Sequence, residues 1–357
     1  MRIIQVLTTM SYGDAVSNDV IALDDTLKRQ GYTTGIYAEN IDARLPKKMV
    51  EKIEEIPNLS DKDIILYHLS TGTSLNYKIK EYKARKVIIY HNITPHHFFT
   101  GYNEGAQKLC ADGEKGLAYL AGSAEYCIAD SEYNKQDMIK AGYKCKIDVL
   151  PILIPFDDYK KNPNNDVIRK YDSDEYTNIL FTGRIAPNKK QEDVISAFYL
   201  YQKYYNSKAR LFIVGSYNGM ERYYKQLKEY VKELKLDNVY FTGHIKFDEI
   251  LAYYKIADYF LCMSEHEGFC VPLVEAMYFN VPIIAYDSSA IGSTLGGSGV
   301  LLKDKNPLET AGMIDYLEKN SNIRCQVIEG QKRRLEDFEH DKIERQFLDY
   351  LGEFMRG

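Results

Sequence analysis

The chain has 357 residues, 45% of them hydrophobic, and a formal net charge of −5. It is too long for one ordinary core and apolar enough for two, while the acidic balance argues against a general affinity for nucleic acid. Six cysteines (Cys110, Cys127, Cys145, Cys262, Cys270 and Cys325) are scattered without a C-x-x-C pair, which fits reduced thiols in a cytoplasmic protein and neither a zinc site nor a disulfide framework.

In chain order, Arg2-Ile-Ile-Gln-Val-Leu-Thr8 is too short for a secretory leader and reads as a first strand. Strands and helices then alternate. Strands are expected near residues 3–8, 33–38, 63–68, 87–91, 126–130 and 147–150, then near 178–182, 210–215, 238–242, 258–262 and 282–286. This alternation predicts α/β architecture with parallel sheets and helices on both faces. The halves are expected at 1–155 and 177–337. Between them, a polar run containing Asn162-Pro163-Asn164-Asn165 makes 156–176 the linker candidate. Residues 338–355 carry apolar positions at Ile343, Phe347, Leu351 and Phe354, an amphipathic helix seeking a surface. No apolar run reaches membrane-spanning length.

Ligands of open parallel sheets bind beyond the carboxyl ends of the strands. That rule singles out the loop containing Ser11-Tyr-Gly13-Asp14, then His68, His91, residues 183–189, Gly215, Gly243-His244 and residues 265–270. It demotes Asp61-Lys-Asp63 and Asp172-Ser-Asp174, which precede their strands and read as turn and capping residues. His96-His97-Phe98-Phe99 is a poor metal candidate, because adjacent histidines seldom converge on one ion. The first loop is not a G-x-G-x-x-G fingerprint, although Gly13 could bring backbone N–H groups close to a phosphate.

The most informative stretch is Ser264-Glu-His-Glu-Gly-Phe-Cys-Val-Pro-Leu-Val-Glu-Ala-Met277. Glu267 falls on a strand-end loop and Glu275 about two turns into the following helix. Between them lie Gly268 and a helix start with unpaired N–H groups and positive dipole character. An anion site flanked by two carboxylates suits a sugar joined to a nucleotide diphosphate. Upstream, Phe181-Thr-Gly-Arg184-Ile-Ala-Pro-Asn-Lys189 places a planar cation and a mobile one directly after a strand. Two lysines opening a helix, Lys189 and Lys190, oppose its dipole and hint at a nearby anion.

Glu267 to Glu275 resembles the E-x7-E signature, and Gly183-Arg184 to Lys189 the G-R-x4-K element, of the family 4 retaining glycosyltransferases. The resemblance is close over residues 178–302 and loose before them. It implies the GT-B fold, two Rossmann-like doubly wound domains facing across a cleft, with the last helix (about 338–357) packing back on the first domain. Arg184 and Lys189 are then expected to neutralise the leaving diphosphate, so that neither a metal nor another cofactor is expected. The same resemblance has Glu275 hold the ribose hydroxyls, and has Glu267, Gly268, Phe269, Cys270 and Val271 face the transferred sugar. Gly215, Gly243 and His244 lie where the family holds the nucleoside. His91, in His91-Asn-Ile-Thr-Pro95, matches a strand-end histidine expected to touch the donor sugar, and His68 and His96 are expected on the acceptor side. Cys270 departs from the family's usual small residue and reads as packing.

The expected reaction moves a hexose from a nucleotide-diphosphate sugar to a saccharide or lipid-linked saccharide, in bacterial surface polysaccharide or glycolipid assembly. Alanine at Arg184 or Lys189 is expected to lower turnover far more than stability. A GT-B nucleotide-sugar epimerase and a non-catalytic sugar-nucleotide-binding module remain the alternatives. The basic stretches Lys78 to Lys86 and Arg44 to Lys48 leave peripheral contact with an anionic membrane surface open.

Overall fold

A computed structural model of the chain describes residues 1–172 and 175–357. It divides into two compact units: residues 1–97, 104–155 and 338–357 form the first, and residues 98–103 and 156–337 the second.

The first unit runs β1 (Arg2–Met10), α1 (Ala15–Arg29), β2 (Thr33–Ile41), β3 (Glu51–Lys52), β4 (Ile64–Leu69), α2 (Leu75–Lys78), β5 (Arg85–Tyr90), α3 (Glu104–Leu120), β6 (Tyr126–Ala129), α4 (Glu132–Lys140) and β7 (Lys146–Val149). Its seven strands are ordered β3-β2-β1-β4-β5-β6-β7, with every pairing parallel. The central strands are buried along their whole length, as in β4. Strands covered on both faces carry continuous apolar runs, which is why they are readable from sequence.

The second unit runs α5 (Asn165–Tyr171), β8 (Thr177–Thr182), α6 (Gln191–Tyr204), β9 (Ala209–Val214), α7 (Glu221–Glu233), β10 (Val239–Gly243), α8 (Phe247–Ile256), β11 (Tyr259–Cys262), α9 (Val271–Tyr278), β12 (Ile283–Tyr286), α10 (Ile291–Leu295), β13 (Val300–Leu302), α11 (Pro307–Lys319) and α12 (Ser321–Leu335). Its six strands are ordered β10-β9-β8-β11-β12-β13, again all parallel. The order reverses at β8 and β11. Their carboxyl ends are therefore neighbours at a topological switch point, where open α/β sheets bind ligands.

The last helix, α13 (His340–Arg356), belongs to the first unit. Ile343, Phe347, Leu351 and Phe354 pack into one core with Ile3, Leu23, Leu27, Ile64 and Val87. Glu344 accepts hydrogen bonds from Thr26 and Arg29 of α1.

Three expectations differ from the structure. Residues 156–176 are no free linker: Tyr159 and Tyr171 are buried in the second unit, and Asn164 N donates to Asp248 O at 2.9 Å. The aromatic rings, hidden among polar residues, decide this. Residues 98–103 also belong to the second unit, where Asn103 Nδ2 donates to Gly219 O at 2.6 Å and Arg222 Nη1 to Gly101 O at 2.6 Å. The strands β3 and β13, two and three residues long, had no pattern long enough to be seen.

Of the demoted acidic pairs, Asp63 accepts from Arg2 and from Ser60 N at the foot of β4. Ser173 and Asp174 lie outside the described residues.

Candidate functional site

In the second unit, β8 pairs with β11, which sets the loop after one beside the loop after the other. Asn188 stitches them together. Its backbone carbonyl accepts from Glu265 N at 2.8 Å, and its buried side chain donates to His266 O at 3.0 Å. Lys189, next along, donates from Nζ to Glu267 Oε2. The pair is largely enclosed, with side-chain exposures of 22% and 9%. Burial disfavours the Lys189 ammonium, but the Glu267 carboxylate outweighs it and the net shift is upward. Arg184 is exposed on the same loop, and its guanidinium makes no ion pair among the described residues. It is the available cation of the two.

The hint of an anion in the paired lysines has a different explanation. Lys190 occupies the N-cap of α6 in a left-handed conformation, and its charge is met by Glu192 and Glu265, each at 3.5 Å.

The Glu267 loop is held from below as well. Glu267 N donates to Ser289 Oγ at 2.8 Å, and Thr294 Oγ1 to Phe269 O. Cys270 is the N-cap of α9 with φ 72°, and no side chain caps that helix start. A left-handed conformation favours glycine, which accounts for the small residue expected there. Cys270 and Cys262 share a thiol–thiol hydrogen bond, which lowers Cys262 and, reinforced by burial, raises Cys270.

Glu275, on α9, is bound by two phenols: Tyr254 OH donates to Oε2 at 2.7 Å and Tyr159 OH to Oε1 at 3.2 Å. Burial pushes its pKa above the usual carboxylate value, and the two phenol bonds oppose part of that rise. Val271 opens α9 and Gly268 and Phe269 precede it, within the loop so held.

Gly215, the residue after β9, bridges Gly243, the last residue of β10. Gly215 is required structurally, since a Cβ there would sit 1.9 Å from Gly183 O. His244 is exposed. Tyr217 stacks on Tyr224 beside this loop, with centroids 4.1 Å apart and planes within 5°. Two tyrosines of α7 do polar work: Tyr223 OH donates to Glu192 and accepts from Gln191 N, and Tyr230 OH bonds Ser196 Oγ.

The histidines of the first unit are placed differently from expectation. His68 is the penultimate residue of β4 and His91 follows the end of β5, but both side chains are buried inside the unit. Gln5 Nε2 donates to Val20 O at 2.8 Å, so Gln5 Oε1 accepts from His68 Nε2 at 2.9 Å. His68 Nδ1 then faces His91 Nε2 at 2.8 Å, and His91 Nδ1 faces Asp130 Oδ2 at 2.9 Å. Burial and the neighbouring His91 push His68 well below the usual histidine value, so it is neutral and its Nδ1 accepts. His91 Nε2 thus donates to His68, and Nδ1 shares a proton with Asp130, which burial itself raises; with that proton on the ring the imidazole is charged. Burial opposes that charge, but the Asp130 carboxylate prevails and the net shift is upward.

With both ring nitrogens of each histidine engaged, neither the donor-sugar contact expected of His91 nor the acceptor contact expected of His68 is available in this structure. Strand-end position was legible; the direction of the ring was not. His96 is half-exposed and pairs through Nδ1 with Glu114 at 2.9 Å. Gly13 has φ 75°, with open space where a Cβ would be.

Two groups of candidate metal donors occur among the described residues, Asp19-His68-His91 and Cys262-Glu267-Cys270. In the first, the imidazoles are nearly coplanar (6°), with centroids 5.1 Å apart. They lie end to end, and the lone pair of one is spent on the N–H of the other. In the second, the Lys189 ammonium already occupies the Glu267 carboxylate.

The basic stretches are partly committed. Lys86 Nζ donates to Tyr82 O and Ala84 O, Arg85 to Phe354 O, and Arg44 pairs with Asp42. Among the described residues, no helix is long and apolar enough to cross a membrane.

Sequence reasoning missed Asn188, Tyr159 and Tyr254. Asn188 lies inside the G-R-x4-K spacing and follows a proline, a turn signal that could have been used. The tyrosines carried no signal.

Residues 164–334 match the model of the family described as Glycosyl transferases group 1. An uncharacterized glycosyltransferase of Methanocaldococcus jannaschii is 30% identical over 149 residues, covering 41% of this chain and 37% of that protein. The O-antigen chain mannosyltransferase RfbU of Salmonella typhimurium is 28% identical over 156 residues, 43% of this chain and 40% of its own length. The chain thus spans less than half the length of these curated relatives. The crystal structure of Anabaena HepE in complex with UDP and glucose matches with a TM-score of 0.78 at 18% identity, covering 99% of this chain and 100% of that one. The likeness extends over both units, and the fold is that of the GT-B glycosyltransferases.

Proposed function

We propose that this chain is a retaining glycosyltransferase of the family 4 type, which transfers a hexose from a nucleotide-diphosphate sugar to an acceptor hydroxyl without a metal ion. The observation that carries the reading is the meeting of the two sequence motifs: Lys189 of one is ion-paired to Glu267 of the other, with Arg184 exposed alongside. The relatives support it, being glycosyltransferases, as does a structural neighbour solved with UDP and glucose.

In this mechanism Arg184 and the start of α9 take up the charge that develops on the leaving diphosphate. Lys189 divides its charge between that group and Glu267, and so fixes the carboxylate that orients the sugar. A diphosphate oxygen receives the acceptor proton, and attack comes from the leaving-group face, so no side chain forms a covalent intermediate. Glu275 accepts from the ribose hydroxyls. His91 takes no part at the sugar and serves to rigidify the first unit, which provides acceptor recognition. A saccharide or lipid-linked saccharide acceptor, from bacterial surface polysaccharide or glycolipid assembly, places the protein in the cytoplasm or on the inner face of the membrane.

The test is thermal stabilisation by UDP-, GDP- and ADP-sugars with EDTA present, followed by NMR of the anomeric product. A shift with one donor class and an axial product from an axial donor are expected. Formation of a 2-epimer without acceptor, or loss of all activity in EDTA, overturns the reading.

A further inference from the structure

We propose that Tyr254, assisted by Tyr159, is a positioning residue that makes Glu275 selective for the ribose cis-diol of the donor nucleotide. This rests on the donor-site reading above and goes beyond it by naming what aims the carboxylate.

The argument begins with hydrogen-bond direction. Tyr254 OH has one proton and three possible acceptors in reach: Glu275 Oε2 at 2.7 Å, Pro272 O at 3.4 Å and the Thr182 hydroxyl. The carboxylate alone is charged, so it takes the proton. The Thr182 hydroxyl, also bonded to Tyr254 OH, must then be the donor in that pair. A directed chain results, from Thr182 to Tyr254 to Glu275. Thr182 is the last residue of β8 and immediately precedes Gly183-Arg184, so the chain ties the base of one motif to the carboxylate of the other. Tyr159 engages the second oxygen at 3.2 Å.

The ring is closely packed. Tyr254 is 1% exposed, and its ring lies near-parallel to Phe279 (centroids 5.4 Å, 10°) and Phe260 (6.1 Å, 17°). With each carboxylate oxygen already accepting one phenol, its remaining acceptor capacity is held in a fixed direction. Two such oxygens side by side match two vicinal hydroxyls, and a donor lacking one of them leaves an oxygen unpaired.

The test compares Tyr254→Phe and Tyr159→Phe with the unaltered protein. Donor KM and kcat are measured for UDP-glucose, GDP-mannose and ADP-glucose, and for the 2′-deoxy form of whichever is used, from pH 5.5 to 8.5. Phenylalanine keeps the aromatic packing, and circular dichroism checks the fold. In Tyr254→Phe, donor KM is expected to rise roughly tenfold, the effect of deleting one hydrogen bond to a charged group. The change in kcat should be smaller, and the preference for ribo over deoxy donor should fall toward unity. Removing the phenol also withdraws a bond that lowers Glu275, so the acid limb of the donor-KM profile should move to higher pH. Tyr159→Phe should do the same more weakly, given its longer contact.

Equal loss for ribo and deoxy donors with an unmoved pH profile overturns the positioning role while leaving the donor site intact. If the unaltered protein binds none of the three nucleotide sugars, the donor-site reading falls and this inference with it.

Discussion

Replacing Lys189 by methionine should cost both turnover and stability, whereas replacing Arg184 by alanine should cost turnover alone. Sequence reasoning expected alanine at either cation to lower turnover far more than stability. The structure separates them, because Lys189 is bound into an enclosed pair with Glu267 and Arg184 stands in solvent. Removing one partner of a buried ion pair strands the other charge, at a typical cost of about 3–5 kcal/mol. Partial exposure of Lys189, at 22%, lets water screen the remaining carboxylate and brings the expectation down to about 2–3 kcal/mol. With a urea slope of about 2 kcal/mol per molar, the midpoint of the second unit should fall by roughly 1–1.5 M. The chain contains no tryptophan, so circular dichroism at 222 nm is the appropriate signal. Glu267→Gln in the Lys189→Met background should recover about 2 kcal/mol relative to the sum of the single changes. Equal urea midpoints for Lys189→Met and Arg184→Ala, or strict additivity in the double variant, would refute the buried-pair reasoning.

Other consequences are equally direct. The Asp19 carboxyl is raised to about 7, chiefly by burial and then against the pull of His91. The folded chain therefore holds a proton that the unfolded chain releases between about pH 4 and 7, and stability falls as pH rises through that window. Asp19→Asn can keep the acceptor for Leu153 N and removes this term, so the melting temperature of the variant should gain on the parent between pH 5 and 8. A constant difference over that range would contradict the assignment. Phe347→Ala should destabilise the first unit by about 3–5 kcal/mol, because the ring is fully buried among residues of α1, β1 and β4; a shift under about 1 kcal/mol in urea unfolding would mean that α13 does not complete this core. Gly215→Ala should lose soluble protein or donor binding altogether, since its Cβ would press on Gly183 O at 1.9 Å, while Gly13→Ala, strained only in φ, should cost about 1 kcal/mol. Similar stability of the two alanine variants by thermal melting would count against the close backbone approach at Gly215.

How much of this was legible beforehand varies by element. Apolar runs such as those of β4 and β5, and the 3.6-residue period of α13, mark buried strands and an amphipathic helix without reference to anything distant. The strand-loop-helix setting of Glu267 and Glu275 and the order of the two motifs were legible for the same reason. The polar run 156–176 was misread because two buried rings, Tyr159 and Tyr171, outweigh the hydrophilic average around them. His91 was placed at the right strand end, yet its ring turns inward to His68 and Asp130.

What the sequence by itself determined was the set of local structures and the loops in which chemistry could sit, because propensity and periodicity act over a few residues. Only the tertiary structure decided which groups meet. Lys189 and Glu267 are 78 residues apart in the chain, Tyr159 and Glu275 116, and Tyr254 and Glu275 21. Such contacts depend on which strands the topology makes neighbours and on the side-chain direction that close packing enforces, and neither has a local signature.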